Sequence, residues 1–231
     1  MIIHGLQKLT LLDFPGHTAC TVFTGGCNFR CPFCHNASLV AHPEDQPVIP
    51  EEEFFAFLGK RHGLLDGVAI TGGEPTLQSD LPDFIRKVRS LGFAVKLDTN
   101  GYRPKMLRTL LNESLLDFVA MDIKAAPEHY AAVCGLPAMD LTAIQESMDL
   151  LRRSGVAHEF RTTYVKGLHN LSDAEGIGQW LAGEEPYFLQ NFKDSGDILC
   201  PGYNGFSKEE MQDFLLALQS SLPCARLRGI D

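Results

Sequence analysis

Three cysteines fall within eight positions, in the loop Cys27-Asn28-Phe29-Arg30-Cys31-Pro32-Phe33-Cys34. Thiolates spaced C-x3-C-x2-C can hold three corners of an iron–sulfur cube and leave the fourth iron open to a ligand. Zinc is the competing metal, with His35 as the fourth donor, because zinc takes four tetrahedral nitrogen or sulfur ligands. Adjacent Cys34 and His35 do not easily aim at one ion, and no second C-x2-C pair is present. The spacing favours iron–sulfur without deciding the matter. Cys20, Cys134, Cys200 and Cys224 stand apart and read as small buried hydrophobes.

Other polar residues interrupt apolar runs where chemistry is cheapest to place. Val68-Ala69-Ile70-Thr71 is broken by Gly72-Gly73-Glu74, an opening that lets backbone approach a ligand closely. Lys96-Leu97-Asp98-Thr99 runs into Asn100-Gly101, a strong turn signal that accounts for the Asn-Gly but not for Asp98. Along Met121-Asp122-Ile123-Lys124 the period of two puts Asp122 and Lys124 on one face, as a structural ion pair or as ligand-binding groups. In Glu159-Phe160-Arg161-Thr162-Thr163, Arg161 can grip a carboxylate with its planar fork, or can bridge surface acids instead.

These groups need a scaffold that gathers strand ends. Strand-like runs cover 17–24, 67–71, 94–98, 117–124, 158–166 and 187–192. Helix signals lie between them: Pro50 before Glu51, Glu52 and Glu53; Ser79 as a cap for a helix ending near Gly92; 141–154 with Ile144, Met148 and Leu151 inward; Ser207 with Glu210 as a capping box. Strands joined by crossover helices are parallel, so the fold class is α/β. Six units suit a partial (β/α)6 barrel better than the eight-stranded one, with the site at the carboxyl ends of the strands. One domain is expected over 1–231, with its core at 17–220.

Composition narrows the function classes. The 231 residues are 45% hydrophobic, and 20 basic against 29 acidic side chains give a net charge of −9. That sign argues against nucleic acid as a partner. No apolar run is long enough for a bilayer, and MIIHGLQKLT lacks a signal-peptide pattern, so a soluble cytoplasmic protein without a membrane partner is expected.

The loop C-N-F-R-C-P-F-C-H-N, with Phe33 just before the third cysteine, resembles that of the radical S-adenosylmethionine (radical SAM) superfamily. His35-Asn36 is similar to the subgroup that installs glycyl radicals. The stretch 5–16 and Arg226-Leu227-Arg228-Gly229 resemble the longer anaerobic ribonucleotide reductase activating proteins. The resemblance implies one 4Fe–4S cluster on Cys27, Cys31 and Cys34. It also implies SAM held by Phe33, Asn36, Gly72, Gly73, Glu74, Asp98, Thr99, Asp122, Lys124 and Arg161. Gly72, Gly73 and Glu74 would meet the SAM amino group and Lys124 its carboxylate, while Asp98 and Asp122 can help hold a monovalent cation. No side chain is expected to be catalytic in its own right.

The activity implied is reductive cleavage of SAM and removal of a glycine Cα hydrogen from a glycyl radical enzyme, anaerobic ribonucleoside-triphosphate reductase in particular. Radical chemistry on a small molecule or another peptide, and a non-catalytic metal-binding module, are the alternatives. With no cysteine between Asn36 and Val68, no second cluster is expected and flavodoxin or ferredoxin would supply the electron. Gln190-Asn191-Phe192 departs from related activases, which carry a histidine there, and His35 reads as a loop-positioning residue.

Overall fold

The structure, a computed structural model, describes residues 1–229. Its strands are β1 (Gly5–Thr10), β2 (Ala19–Thr24), β3 (Gly67–Gly72), β4 (Ala94–Thr99), β5 (Phe118–Asp122), β6 (Ala157–Tyr164), β7 (Tyr187–Asn191) and β8 (Ala225–Arg228). The helices are α1 (Ala37–Ala41), α2 (Glu51–Gly59), α3 (Leu81–Ser90), α4 (Pro104–Asn112), α5 (Tyr130–Val133), α6 (Thr142–Ser154), α7 (Leu171–Leu181) and α8 (Lys208–Gln219). The strands follow chain order in one open sheet that begins at β1 and ends at β8. β1 joins β2 antiparallel, whereas β2–β3, β3–β4, β6–β7 and β7–β8 are parallel. The α/β class is as expected, and β2 to β7 are the six anticipated strands.

Two compact units make up the chain. The first comprises Met1–Asn28, Ser38–Ala120 and Thr142–Ala157. Here β2 and β3 are apolar along nearly their whole length because a central parallel strand is covered on both faces. Helix α3 turns Leu81, Phe84, Ile85 and Val88 inward, and the Phe54 and Phe84 rings meet at 5.3 Å. The cap of α3 falls on Asp80 and not on Ser79, with Pro82 in the first turn, where the lost N–H costs nothing. In α6, Ile144, Met148 and Leu151 are buried as the periodicity requires.

The second unit comprises Phe29–Ala37, Met121–Leu141 and His158–Asp231. Helices α7 and α8 start on reciprocal caps, Asn170 with Asp173 and Ser207 with Glu210. Here Tyr164 packs tilted and Phe206 edge-on against Phe214, each with ring centroids 4.7 Å apart. At the last strand, Arg228 grips Glu159 with both terminal nitrogens, at 2.6 and 2.8 Å. No helix among the described residues is long and apolar enough to cross a membrane.

Candidate functional site

In the first unit the polar groups gather after β3 and β4. Gly72 ends β3 at φ +116°, and the next two amides turn back, Gly73 N–H to Thr24 O and Glu74 N–H to Gly26 O, both at 2.8 Å. A Cβ on Gly73 would lie 2.0 Å from the Gly26 carbonyl oxygen, so only glycine fits. Glu74 is 1% exposed. Its Oε1 accepts from Thr76 N at 3.0 Å, from the Thr76 hydroxyl, and from Thr99 Oγ1 at 2.8 Å. Its Oε2 accepts from Asn100 N at 2.7 Å. Burial pushes the Glu74 carboxyl up, and these donors pull against it.

Asp98 pairs with the ammonium of Lys96 two residues back on the same strand face, and Lys96 is itself almost wholly buried. The period of two that links Asp122 to Lys124 links Lys96 to Asp98 as well. Asn100 also does more than turn the chain. Its Nδ2 donates to Asn28 Oδ1 at 2.9 Å and approaches Cys27 Sγ at 3.8 Å. That bond fixes the Asn28 amide with Nδ2 buried and lacking any protein acceptor. A buried donor beside the first cysteine suits an inorganic sulfide or a bound ligand.

In the second unit the rest of the cysteine loop is anchored by its backbone. Arg30 N–H donates to Cys134 O at 2.9 Å, Cys34 N–H to Cys31 O at 3.0 Å, and Cys200 N–H to Pro32 O at 2.8 Å. Phe33 meets His169 and Phe192 edge-on, with centroids 6.3 and 6.5 Å away. His35 stacks on Phe192 at 5.2 Å and holds Lys193 O through Nε2 at 2.8 Å, the loop-positioning role expected of it. The Asn36 amide donates to the Cys34 sulfur, while burial pushes that thiol up. Asn191, near the place where a histidine was missed, clamps Phe206 through N–H···O bonds of 2.7 and 2.8 Å.

Asp122 receives Arg161 Nε at 2.5 Å on Oδ1 and Lys124 Nζ at 2.9 Å on Oδ2. Burial works against its charge, but the two cations hold the carboxyl far below the usual range. His169 accepts Val165 N–H on Nδ1 at 3.1 Å and donates from Nε2 to Lys124 O at 2.8 Å, which fixes one neutral tautomer. Of the four cysteines outside the loop, Cys20 and Cys134 are buried as expected, whereas Cys200 and Cys224 are exposed; Cys134 and Lys124 together hold the Cys31 thiol below the ordinary range despite burial. All seven cysteines are unbridged.

Cysteines unbridged by disulfides at this spacing, with a buried amide donor beside the first, are donors suited to an iron–sulfur cube. The radical SAM superfamily model matches residues 21–181. The chain belongs to that superfamily. Membership implies a 4Fe–4S cluster and SAM. This radical SAM protein is 32% identical, over 85% of its length, to a Methanocaldococcus jannaschii protein provisionally named a glycyl-radical enzyme activating enzyme, of which it covers 82%. Its fold is similar to that of a radical SAM methyltransferase from Sphaerobacter thermophilus (TM-score 0.72, 17% identity, 95% of this chain and 68% of the other). Streptococcus suis SuiB bound to S-adenosylmethionine is also similar (TM-score 0.68, 13% identity, 89% and 49%).

Proposed function

We propose that this radical SAM protein activates a glycyl radical enzyme, with anaerobic ribonucleoside-triphosphate reductase as the target, in a reducing cytoplasm. Cys27, Cys31 and Cys34 would ligate one 4Fe–4S cluster. When bound, the cluster and SAM supply the electron and the 5′-deoxyadenosyl radical that takes the hydrogen atom from a glycine Cα, leaving methionine and 5′-deoxyadenosine. The residues of this chain bind, orient and shield.

The observation that carries the reading is the run of three unbridged cysteines spaced C-x3-C-x2-C, the first of them next to the unsatisfied Asn28 amide. The backbone at Gly72 and Gly73 would receive the SAM amino group. Glu74 Oε2 takes one protein donor, and an oxygen of this kind accepts about two, so it can take an ammonium hydrogen as well. Thr99 would act through Glu74, which its hydroxyl holds. Lys124 and Arg161 together outweigh Asp122 by one positive charge, which favours a carboxylate. Phe33 would wall the loop, and Asn36 would steady Cys34 through its amide.

Lys96 balances Asp98, and Lys124 with Arg161 more than balances Asp122, so these acids already have the charge that a monovalent cation would bring. An external flavodoxin or ferredoxin would deliver the electron. Anaerobic reconstitution followed by mixing with SAM, reductant and the reductase tests the reading. A glycyl doublet in electron paramagnetic resonance is expected. SAM cleavage with no radical on any reductase would favour a small-molecule or other peptide substrate, and no cleavage at all a metal-binding module.

A further inference from the structure

From Cys27 to Cys34 the loop carries a single charged residue, Arg30, and it is the exposed one, set between Phe29 at 2% and Cys31 at 7% exposure. Its backbone is clamped. Arg30 N–H donates to Cys134 O at 2.9 Å, and Gly135 turns at φ +68° so close that a Cβ there would stand 2.2 Å from the Arg30 carbonyl oxygen. The guanidinium Nη1 donates to Phe29 O at 2.8 Å, which keeps the charge at the loop. The adjoining stretch 131–139 contains no charged residue and exposes Ala132, Gly135, Pro137 and Ala138. One cation therefore stands against a shoulder of small, uncharged side chains that rise little from the backbone.

A cluster on this loop needs an electron from outside, and the carrier that brings it must come close to the loop, because electron transfer slows steeply with distance. On a chain of net charge −9 an acidic carrier is repelled as a whole, so a local cation decides where and in which orientation it lands. We infer that Arg30 and the shoulder at 132–138 form the landing surface for an acidic one-electron carrier protein, the guanidinium meeting a carboxylate beside that protein's own redox group. One electron passes to the cluster and the carrier is oxidised by one; no bond forms or breaks. A small, low shoulder suits the brief encounters of redox partners, which bury little area. An acidic stretch of the glycyl radical enzyme is the other partner that the charge of Arg30 admits, and the test separates the two. The inference rests on the reading of Cys27, Cys31 and Cys34 as cluster ligands, and adds to it the place where the electron enters.

The test uses the full chain reconstituted anaerobically as wild type, R30E, R30Q and R30K, with iron counted in each. Reduced flavodoxin is mixed with it in the absence of SAM, and bleaching of the cluster absorbance gives the rate of electron transfer. Calorimetric titration with oxidised flavodoxin reads binding alone, and photoreduced deazariboflavin, small and uncharged, is the control reductant. At low salt R30E should accept electrons from flavodoxin at least about threefold more slowly than wild type and bind it more weakly in proportion, the size of one exposed charge pair. R30Q should fall between them, R30K should stay near wild type, and added salt should narrow the gap. Deazariboflavin should reduce all four alike. Failure of flavodoxin to reduce the wild type would overturn the inference, as would equal flavodoxin rates in wild type and R30E, or in wild type and R30Q should R30E lose iron. The same slowing with deazariboflavin would assign the effect to the shape of the loop and overturn it too. Normal flavodoxin rates with a lower glycyl radical yield on the reductase would place the reductase at Arg30 instead. Electron transfer that depends on Arg30 in a chain that then cleaves no SAM would uphold the inference and remove the proposed activity.

Discussion

The carboxylate of Glu74 accepts the backbone N–H of Asn100 at 2.7 Å, tying the end of β3 to the turn after β4. One buried acid thus holds a second motif in place. Removing it by Glu74→Ala should cost about 1–3 kcal/mol, because the Asn100 amide and the Thr99 hydroxyl lose their acceptor. Glu74→Gln should cost less. Both should weaken SAM binding at least about tenfold if the carboxylate also takes the amino group, one lost charge-assisted bond being worth about 1.5 kcal/mol or more. Denaturant melts and equilibrium dialysis of the reconstituted protein read the two effects separately.

Gly73→Ala should be harmful out of proportion to its size. The added methyl would sit 2.0 Å from the Gly26 carbonyl oxygen, and that atom is backbone that cannot swing aside. A loss of about 1–3 kcal/mol is expected from overpacking, with the displaced Gly26 lying directly before Cys27. Lower iron content after reconstitution, measured alongside thermal stability, checks this; unchanged values for both would refute it.

Asp122→Asn leaves Lys124 and Arg161 facing each other without their shared anion. Breaking a buried pair in this way costs about 3–5 kcal/mol at full burial, and less here because the groups are only partly covered. Urea unfolding should move by at least about 1 kcal/mol, well beyond the effect of a surface substitution. Arg161→Lys should keep the charge but lose the fork, with a smaller loss of stability.

Burial lowers the pKa of His169, and its Nδ1 must stay unprotonated to accept the Val165 amide. The unfolded chain takes up the proton near the ordinary value of about 6.5, before the folded chain does. The neutral ring's contribution to stability is therefore complete above that pH and falls as acid is added, until the lowered folded value is passed. His169→Gln should flatten this part of the stability profile on the acid side of about pH 6.5. Urea titrations of wild type and variant, compared as a difference, check the sign.

Thiol labelling should divide the cysteines outside the loop. Cys200 and Cys224 are exposed, whereas Cys20 is buried in β2 with its thiol pushed up to about 12. An alkylating reagent applied to native protein near pH 8 should modify the first two quickly and leave Cys20 untouched until denaturant is added. Peptide mass spectrometry reads out the order.

The six strands β2 to β7 were legible because each is an apolar run stopped by glycine, asparagine or a charge. β1 was not, since Gln7, Lys8 and Leu9 are exposed on an edge strand whose partner lies on one side only. β8 spans four residues, too few for a period to register. Within the site, the cysteines and the strand-end motifs declared themselves by local spacing. Asn100 passed for a simple turn residue and Cys134 for filler because their partners, Cys27 and Cys31, are 73 and 103 positions away by the numbering. Propensity and periodicity carry no record of such pairings. Lys96 is the exception: its relation to Asp98 was in plain view two positions along the strand.

The bonds that fasten the second and third cysteines' segment run from backbone amides to backbone carbonyls and from ring to ring, through Arg30, Pro32, Cys34 and Phe33. The Asn36 N–H on the Cys34 sulfur adds a bond of a different kind. The polypeptide therefore shapes this segment through its own backbone and rings as well as through its sulfurs.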